Sequence, residues 1–380
     1  MPNKWNPFNS FNQQQTNLDL ELLKKEVGQR FPFYDMKYNV KTAAFYINLN
    51  KDDLEKKFDD LRKSLSKKGY IPLLREEGGE DLIYIIKKSD KKTKPVWVNS
   101  LLLIATVITT VLTGSIIYMG YFDIWSIPTI LDVFKPVNLF YGALLFALPL
   151  LSILLVHEMG HYFISKKHGI ETSLPYLMPI PPILPNFNIG TFGAIISSRE
   201  PMHDKKALFD VGISGPVAGF IVALPVTAIG IANSEIVDVG QVASGEPILG
   251  MSLLFMLLSE VLLNIPQGFG LSLNPVAFAG WVGLLITSIN LLPAGQLDGG
   301  HIFRAVFGEK QKYIGWAAVA IMIFTGWWFF AFVIILMMGG AKHPPPLNDH
   351  TPLDIRRKLF FLVAVVVLFL CYIPWPISVT

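Results

Sequence analysis

The stretch LLVHEMGHYF, residues 154–163, holds two histidines four residues apart, His157 and His161, with Glu158 directly after the first. On a helix such histidines lie on one face and can bind one metal ion, while the glutamate can reach a water bound to that ion. Zinc hydrolases use this pattern, and their zinc takes three protein ligands and a water. Because the stretch is apolar, these polar side chains are costly there unless they are paired or functional. The pattern therefore predicts a metal site within an apolar helix.

A third metal ligand is not supplied close to this motif. The residues that follow do not have the spacing of a metzincin, and Glu171 comes too soon to serve as the glutamate of a thermolysin-like enzyme. Asp298 remains as the candidate, because an aspartate that follows an apolar segment is also costly unless it is paired or bound to metal. Pro293 and Gly299 nearby allow the helix to break and the backbone to approach the site closely.

The composition indicates a membrane protein. Of the 380 residues, 52% are hydrophobic and 16% are charged, whereas about a quarter of the residues are charged in ordinary soluble domains. The net charge of +3 comes without a basic groove interleaved with aromatic residues, so we expect no nucleic-acid partner. Cys371 is the single cysteine of the sequence, which excludes an intrachain disulfide and a thiolate zinc site.

Charged residues are concentrated near the N terminus and define three regions. Residues 1–18 are rich in Asn and Gln and are predicted to be a flexible tail. Residues 19–90 contain amphipathic helical stretches and strand-like segments, which predict a small α+β domain. This domain has no Gly-rich phosphate loop, which favours a regulatory or docking module over an enzyme. Residues 91–380 are predicted to hold about 6–8 transmembrane segments.

The lysine-rich run KKSDKKTKP, residues 87–95, precedes an apolar segment of about 20 residues, the length of one transmembrane helix. Because basic flanks are retained in the cytoplasm, the 19–90 domain is predicted to be cytoplasmic. The first three transmembrane spans are then expected at residues 97–120, 138–165 and 207–232.

The later apolar stretches are less regular. The candidate aspartate must share the side of the two histidines, so residues 275–297 must run inward and residues 247–270 should not form one full span. The latter are predicted to be a re-entrant or short hairpin element, or to lie at the outer surface. Residues 313–338 fit either one span or two short helices broken near Gly326. A last span is expected at about residues 359–376.

The motifs together resemble those of the site-2 protease family of intramembrane zinc metalloproteases. The loop at residues 166–206 is too short for a PDZ domain, so the chain resembles the branch that lacks one, with residues 19–90 as an N-terminal soluble extension. The resemblance covers about residues 97–305. It rests on HEMGH, on GTFGAIISSR, and on an Asn-Pro-Asp-Gly pattern formed by Asn290, Pro293, Asp298 and Gly299.

This resemblance implies the roles of the site residues. His157, His161 and Asp298 would bind a single zinc ion, and Glu158 would be the general base. The implied activity is hydrolysis of peptide bonds within or near transmembrane segments, in regulated intramembrane proteolysis. The implied partners are a transmembrane protein substrate and the lipid bilayer. Asn290 is predicted either to hydrogen-bond the substrate or the developing oxyanion, or to make an interhelical hydrogen bond.

A helical substrate cannot be cut while its carbonyls are held in backbone hydrogen bonds, so some element must hold it extended. In the family the region of GTFGAIISSR forms a membrane-embedded strand or hairpin, and we predict that residues 190–198 bind the substrate by edge pairing. The alternative is a purely structural plug. The predicted substrate contacts are Gly190, Thr191, Phe192, Gly193 and Ala194. The predicted fold class is thus a polytopic α-helical membrane protein with a membrane-embedded β-strand or hairpin, plus the N-terminal α+β domain.

Two other functions fit the sequence less well. A zinc transporter would need further intramembrane ligands and a His-rich loop, whereas the seven histidines are scattered along the chain. A catalytically inactive family member, acting as a membrane chaperone, would not need Glu158 together with all three candidate ligands. Residues 19–90 are expected to bind a cytoplasmic regulator.

Overall fold

The computed structural model describes residues 18–50, 53–88, 95–122, 131–182, 189–197, 201–241, 247–338, 345–375 and 377–379. The predicted tail up to residue 17, and Ser198 of the predicted substrate strand, lie outside these residues. The chain forms two compact units. One comprises Met1–Thr93, Pro201–Leu208 and Pro344–Asp354, and the other comprises Lys94–Glu200, Phe209–His343 and Ile355–Thr380. The predicted division into 1–18, 19–90 and 91–380 stays a prediction.

The first unit is a four-stranded antiparallel sheet with two helices, in the strand order β1-β2-β4-β3. All six elements fall where the sequence has its amphipathic and alternating stretches. They are α1 (Leu20–Gly28), β1 (Phe33–Tyr38), β2 (Thr42–Ile47), α2 (Leu54–Lys67), β3 (Tyr70–Glu77) and β4 (Glu80–Lys87).

The core of the first unit lies between the sheet and the helices. On α2 the buried residues recur at the spacing of one helix face, namely Leu54, Phe58, Leu61 and Leu65. Leu347, from the late segment Pro344–Asp354, is 2% exposed in the same core. Its backbone N–H donates to the carbonyl of Met202 (2.8 Å), and its carbonyl accepts from the N–H of Leu74 (2.8 Å). The core is therefore built by the N-terminal residues and Leu347, and Met202 holds Leu347 through a backbone hydrogen bond.

Glu26 is a buried carboxylate on α1 of this unit. It accepts hydrogen bonds from the Lys68 ammonium, from the Ser64 hydroxyl (2.7 Å) and from the Arg30 guanidinium (2.9 Å). The bond from Lys68 and then the bond from Ser64 are the main causes that lower the pKa of Glu26 to about 2. The ionised carboxylate is thus part of the folded state of the first unit.

The second unit is mostly helical. Within the described part of the chain, three helices are long and apolar enough to cross a membrane, and they correspond to the first three predicted spans. The second of them is continuous from α4 through a π-helical turn at Ala143–Ala147 into α5. The helices are α3 (Trp97–Phe122), α4 (Pro136–Gly142) with α5 (Leu148–Lys167), and α6 (Lys205–Ala232).

Among the described residues, three two-stranded antiparallel sheets accompany these helices. The first, β5 (Tyr176–Pro179) with β6 (Thr191–Ile195), contains the predicted substrate strand. The other two pair β7 (Glu235–Asp238) with β9 (Phe269–Ser272), and β8 (Pro247–Leu249) with β10 (Ile377–Val379).

The remaining helices are shorter. Between β8 and β9 lies α7 (Leu253–Leu262), which has ten residues. It is therefore about 15 Å long, which is half of the thickness of a bilayer core. Residues 247–270 thus do not form one full span, as predicted. Of the two alternatives for residues 313–338, the structure has two helices, with the break at Gly326 in a positive-φ conformation. These helices are α7 (Leu253–Leu262), α8 (Pro275–Leu291), α9 (Asp298–Phe307), α10 (Gln311–Phe324), α11 (Trp328–Met338) and α12 (Ile355–Cys371).

We expect Glu26→Gln to destabilise the first unit in a pH-dependent way. Because the pKa of Glu26 is lowered on folding, its contribution is present above the unfolded pKa of about 4.3 and is lost as the pH falls toward about 2. At pH 7 the loss should be about 1.5–3 kcal/mol, the value of hydrogen bonds to a charged group. Hydrogen exchange of α1 and α2 amides in the full-length protein would show this as weaker protection.

Glu21→Gln is the matched control on the same helix, because Glu21 is exposed and pairs at the surface with Lys24. It should change protection little, as surface ion pairs are worth about 0–1 kcal/mol. Equal protection of Glu26→Gln and the parent protein at pH 7 would contradict the prediction.

Candidate metal centre

The second unit contains a group of three ligand atoms, on two buried histidines and one half-buried aspartate. The Nε2 atoms of His157 and His161 lie 3.2 Å apart, and the Oδ2 atom of Asp298 lies 3.3 Å from each of them. These separations match the edge, about 3.3 Å, of a tetrahedron whose metal–ligand distances are about 2.0–2.1 Å, as in zinc sites. The three residues could therefore hold one metal ion, and their donor set fits zinc.

The helix α5 brings the two histidines together, because residues four apart lie on the same face. Both side chains point into the protein, and His157 is 4% and His161 9% exposed. Glu158 follows His157 on the helix and is half-buried. It does not belong to the group of ligand atoms, so its carboxylate stays available for another role.

Backbone atoms of α6 fix the orientation of His161. The carbonyl of Val211 can only accept, so the Nδ1–H of His161 donates to it, at 2.7 Å. This bond leaves the lone pair of Nε2 for a metal, as in other histidine metal sites. The imidazole lies directly against α6, since a Cβ at Gly215 would come within 2.0 Å of its Nε2.

The roles of Val211 and Gly215 were not predicted from the sequence. A carbonyl acts here irrespective of its side chain, so Val211 leaves no signal in the sequence. Gly215 lies within an apolar helix, where a glycine is equally typical of ordinary close packing.

The turn between α8 and α9 positions Asp298. Residues 292–297 interrupt the two helices, and Asp298 is the first residue of α9, where the helix dipole favours a carboxylate. The two helices approach so closely that a Cβ at Gly299 would lie 2.1 Å from the carbonyl oxygen of Leu291. Asn290, near the end of α8, has its Nδ2 atom 3.4 Å from Nε2 of His157. The structure thus brings Asn290 and the three candidate ligands together.

The predicted substrate residues lie on and next to β6, which packs against α5 and α3. One edge of β6 pairs with β5, and no other described strand pairs with it. The hydroxyl of Thr109 on α3 donates to the carbonyl of Gly190 (2.7 Å) and ties the start of the strand to that helix. Thr191 is buried, whereas Phe192 is 71% exposed and Gly193 and Ala194 are half-buried.

A second group of metal-binding residue types lies in the first unit. Glu76 and Asp81 face each other across β3 and β4, and with His350 they have ligand atoms within 4.8 Å of one another. Glu76 is exposed and the other two are half-buried. Asp81 and His350 approach to 3.9 Å, which is a surface ion-pair distance. This group lacks the burial that sets the first group apart.

Residues 145–334 match the family model of peptidase family M50. The chain belongs to this family, the site-2 protease family. The family predicted from the sequence motifs is therefore confirmed. Family membership and the three apolar helices together indicate a membrane protein.

Several plant proteins are similar to the chain. It is 33% identical over 178 residues to the probable zinc metalloprotease EGY1, chloroplastic, of Oryza sativa subsp. japonica, which is 45% of this chain and 29% of that protein. It is 33% identical over 185 residues to the probable zinc metalloprotease EGY2, chloroplastic, of Arabidopsis thaliana, which is 48% of this chain and 32% of that protein. The chain thus spans less than a third of the length of these curated relatives. No solved structure matches it.

We expect Asp298→Asn to weaken zinc binding by more than about a hundredfold, since losing a ligand should exceed the 10–100-fold effect of losing an outer hydrogen-bond partner. Zinc content after dialysis against graded concentrations of a chelator measures this, and circular dichroism should show that the helices are retained. The matched control is Asp132→Asn, which removes a half-buried carboxylate paired with Lys135. Undiminished zinc affinity in Asp298→Asn would remove this residue from the ligand set.

Proposed function

We propose that this chain is an intramembrane zinc metalloendopeptidase, which hydrolyses peptide bonds within or near transmembrane segments of other membrane proteins. The observation that carries the proposal is the group formed by the buried His157 and His161 with the half-buried Asp298, on and beside a helix long enough to cross a bilayer. A hydrolytic site within a membrane-spanning helix can reach a peptide bond that itself lies within the membrane.

The catalytic roles follow from the positions of the side chains around the ligands. When bound, zinc lowers the pKa of water toward about 7 and polarises a carbonyl. Glu158, on the same helix as two of the ligands and not one of them, accepts a proton from the attacking water. The water oxygen bonds to the carbonyl carbon, the C–N bond breaks, and Glu158 returns the proton to the leaving nitrogen.

Asn290 is placed to assist this reaction. Its Nδ2 atom lies 3.4 Å from His157, so its amide hydrogens are next to the site at which a scissile carbonyl would bind. We assign it a hydrogen bond to the substrate backbone or to the oxyanion that develops during attack.

The free edge of β6 is the proposed binding site for an unwound substrate. An extended peptide can pair with such an edge through its backbone, and β6 packs on the helix that carries both histidines. Thr191 supports the strand from within, since its hydroxyl donates to the carbonyl of Met178 (3.0 Å) and accepts from the N–H of Gly193 (3.0 Å). Phe192 is exposed and available to contact the substrate, with Ala194 further along the same strand. Gly190 and Gly193 support the strand instead, since the Gly190 carbonyl accepts from Thr109 and the Gly193 N–H donates to Thr191.

Apolar side chains on the long helices support the lipid bilayer as a partner. On α3, Leu101, Ile104 and Ile108 recur at helical spacing and are each more than half exposed, which is favourable in lipid and unfavourable in water. α5 ends in Lys166 and Lys167, and α6 begins with Lys205 and Lys206.

Under the positive-inside rule, these basic ends support a cytoplasmic location for the end of α5 and the start of α6. We therefore propose a multi-pass protein whose 19–90 domain is cytoplasmic and binds a regulator of the protease.

Glu158→Gln should lower cleavage by at least about a hundredfold while zinc content is unchanged, because general-base catalysis contributes about 10²–10⁴-fold and the carboxylate is not a ligand. The measurement is cleavage of single-span model substrates by the protein in liposomes, with and without a zinc chelator. Glu171→Gln, the same change at an exposed site, is the control and should retain activity. Full activity in Glu158→Gln would exclude this residue as the base. Zinc transport by the parent protein without any cleavage would favour the transporter.

Proline at Thr191 or Ala194 should reduce cleavage several-fold, up to about tenfold, without loss of zinc. Proline has no N–H to donate to a substrate strand, and one hydrogen bond is worth about 0.5–1.5 kcal/mol. Ala194→Val keeps the N–H and is the control for side-chain size. Normal cleavage with proline at both positions would leave the structural plug as the role of this strand.

A further inference from the structure

The turn at residues 292–297 connects Asn290 to the candidate ligand Asp298, and it is buried over most of its length. Leu292 is 6% and Ala294 is 0% exposed. Two backbone bonds close the turn, from the N–H of Ala294 to the carbonyl of Leu292 (2.7 Å) and from the N–H of Leu297 to the carbonyl of Ala294 (3.2 Å). The carbonyl of Pro293 lies between these groups and accepts a bond from outside the turn.

That bond comes from Gln311, the first residue of α10. Its Nε2 atom donates to the carbonyl oxygen of Pro293 at 3.0 Å, 18 residues away along the chain. The Gln311 side chain is almost fully buried, with 1% of the residue exposed. A buried amide is costly without a hydrogen-bond partner, and so is a buried carbonyl, so the two groups hold each other in place.

Gly315, one helical turn after Gln311, faces the same carbonyl. A Cβ at this position would lie 2.8 Å from the Pro293 oxygen, closer than two non-bonded heavy atoms can pack. Residues four apart share a helix face. On that face of α10, Gln311 donates a hydrogen bond to the Pro293 oxygen, and Gly315 has no side chain that would collide with it. The position of the turn relative to α10 is therefore fixed by both attraction and close packing.

A shift of the turn would move Asp298, because there is no free space between them. A Cβ at Gly300 would lie 2.3 Å from the carbonyl oxygen of Gly295, and one at Gly299 would lie 2.1 Å from that of Leu291. The first turn of α9 thus packs directly on the backbone of the turn and of α8. Close-packed interiors transmit such displacements instead of absorbing them.

We infer that Gln311 is a positioning residue for Asp298, and that its hydrogen bond to the Pro293 carbonyl sets the distance between this carboxylate and the two histidines. The inference rests on the proposed metal centre. Gln311 touches neither the ligands nor a substrate in this assignment, and it acts through the backbone of the turn.

The test is Co²⁺ binding to the full-length protein in detergent, followed by visible absorption, which responds to the number and geometry of the ligands in a site for first-row divalent metals. Gln311→Leu removes the donor, and Gly315→Ala pushes the same carbonyl away while Gln311 is retained. We expect both to weaken Co²⁺ binding by up to about tenfold, the lower end of the effect of losing a direct hydrogen-bond partner of a ligand, because Gln311 acts on Asp298 only through the backbone of the turn. Both should also shift the absorption bands of the bound ion.

Asn274→Leu is the matched control. Asn274 is a buried amide whose Nδ2 donates to the carbonyl of Gly230 (3.1 Å), and it lies at the opposite end of α8 from Asn290. The Asn274→Leu substitution should destabilise the fold at least as much as Gln311→Leu, because Asn274 also caps α8. It should nevertheless leave the Co²⁺ spectrum unchanged. If Gln311→Leu does not fold, Gln311→Glu keeps the shape of the side chain and replaces the amide donor by oxygen.

The outcomes separate this inference from the proposed function. Co²⁺ that binds equally well to the parent protein and to Asp298→Asn would overturn the metal centre itself. Binding that is lost in Asp298→Asn, but is unchanged in affinity and spectrum in the folded Gln311 and Gly315 variants, would overturn only the role of Gln311. An equal spectral shift in Asn274→Leu would also overturn it, because the effect would then follow from general loss of stability.

Discussion

The structure depends on the cost of burying two imidazoles and a carboxylate in an apolar part of the protein. Separately, each of these groups would lose hydration without compensation. Together, at 3.2–3.3 Å from one another, they form a site that could hold a divalent cation, which would balance the carboxylate and use the lone pairs of the imidazoles. The arrangement of α5, α6 and the α8–α9 turn can be understood as the means of keeping these three atoms at that spacing.

Backbone groups provide most of the support around the ligands. Val211 contributes its carbonyl to His161, and the hydroxyl of Ser214 donates to the same oxygen at 2.8 Å. The turn before Asp298 is held through the carbonyl of Pro293. A helix backbone is stiff, and it supplies polar atoms without placing additional polar side chains in an apolar environment, where they would be expensive. Glycine is required where the imidazole of His161 or the start of α9 approaches this backbone.

The first unit has a different kind of dependence on the rest of the chain. Its sheet and helices come from the N-terminal residues, but Leu347 completes its core, and Pro201–Leu208 belongs to it as well. The core therefore includes a contact between segments more than a hundred residues apart, which is costly in loop entropy. Along the chain, Pro201–Leu208 includes the start of α6, and Pro344–Asp354 directly precedes α12.

Local patterns in the sequence determined the elements and part of the site. The spacing of His157 and His161 determines a shared helix face, alternation determines β1–β4, and hydropathy with length determines the three long helices, because each depends on residues near in the chain. Asp298, 137 residues after His161, required the motif pattern and topology as well. The roles of Val211, Gly215 and Gln311, and the place of Leu347 in the first core, were decided by the tertiary structure alone. They rest on contacts between distant segments, often through backbone atoms, and a carbonyl has no signature in the sequence.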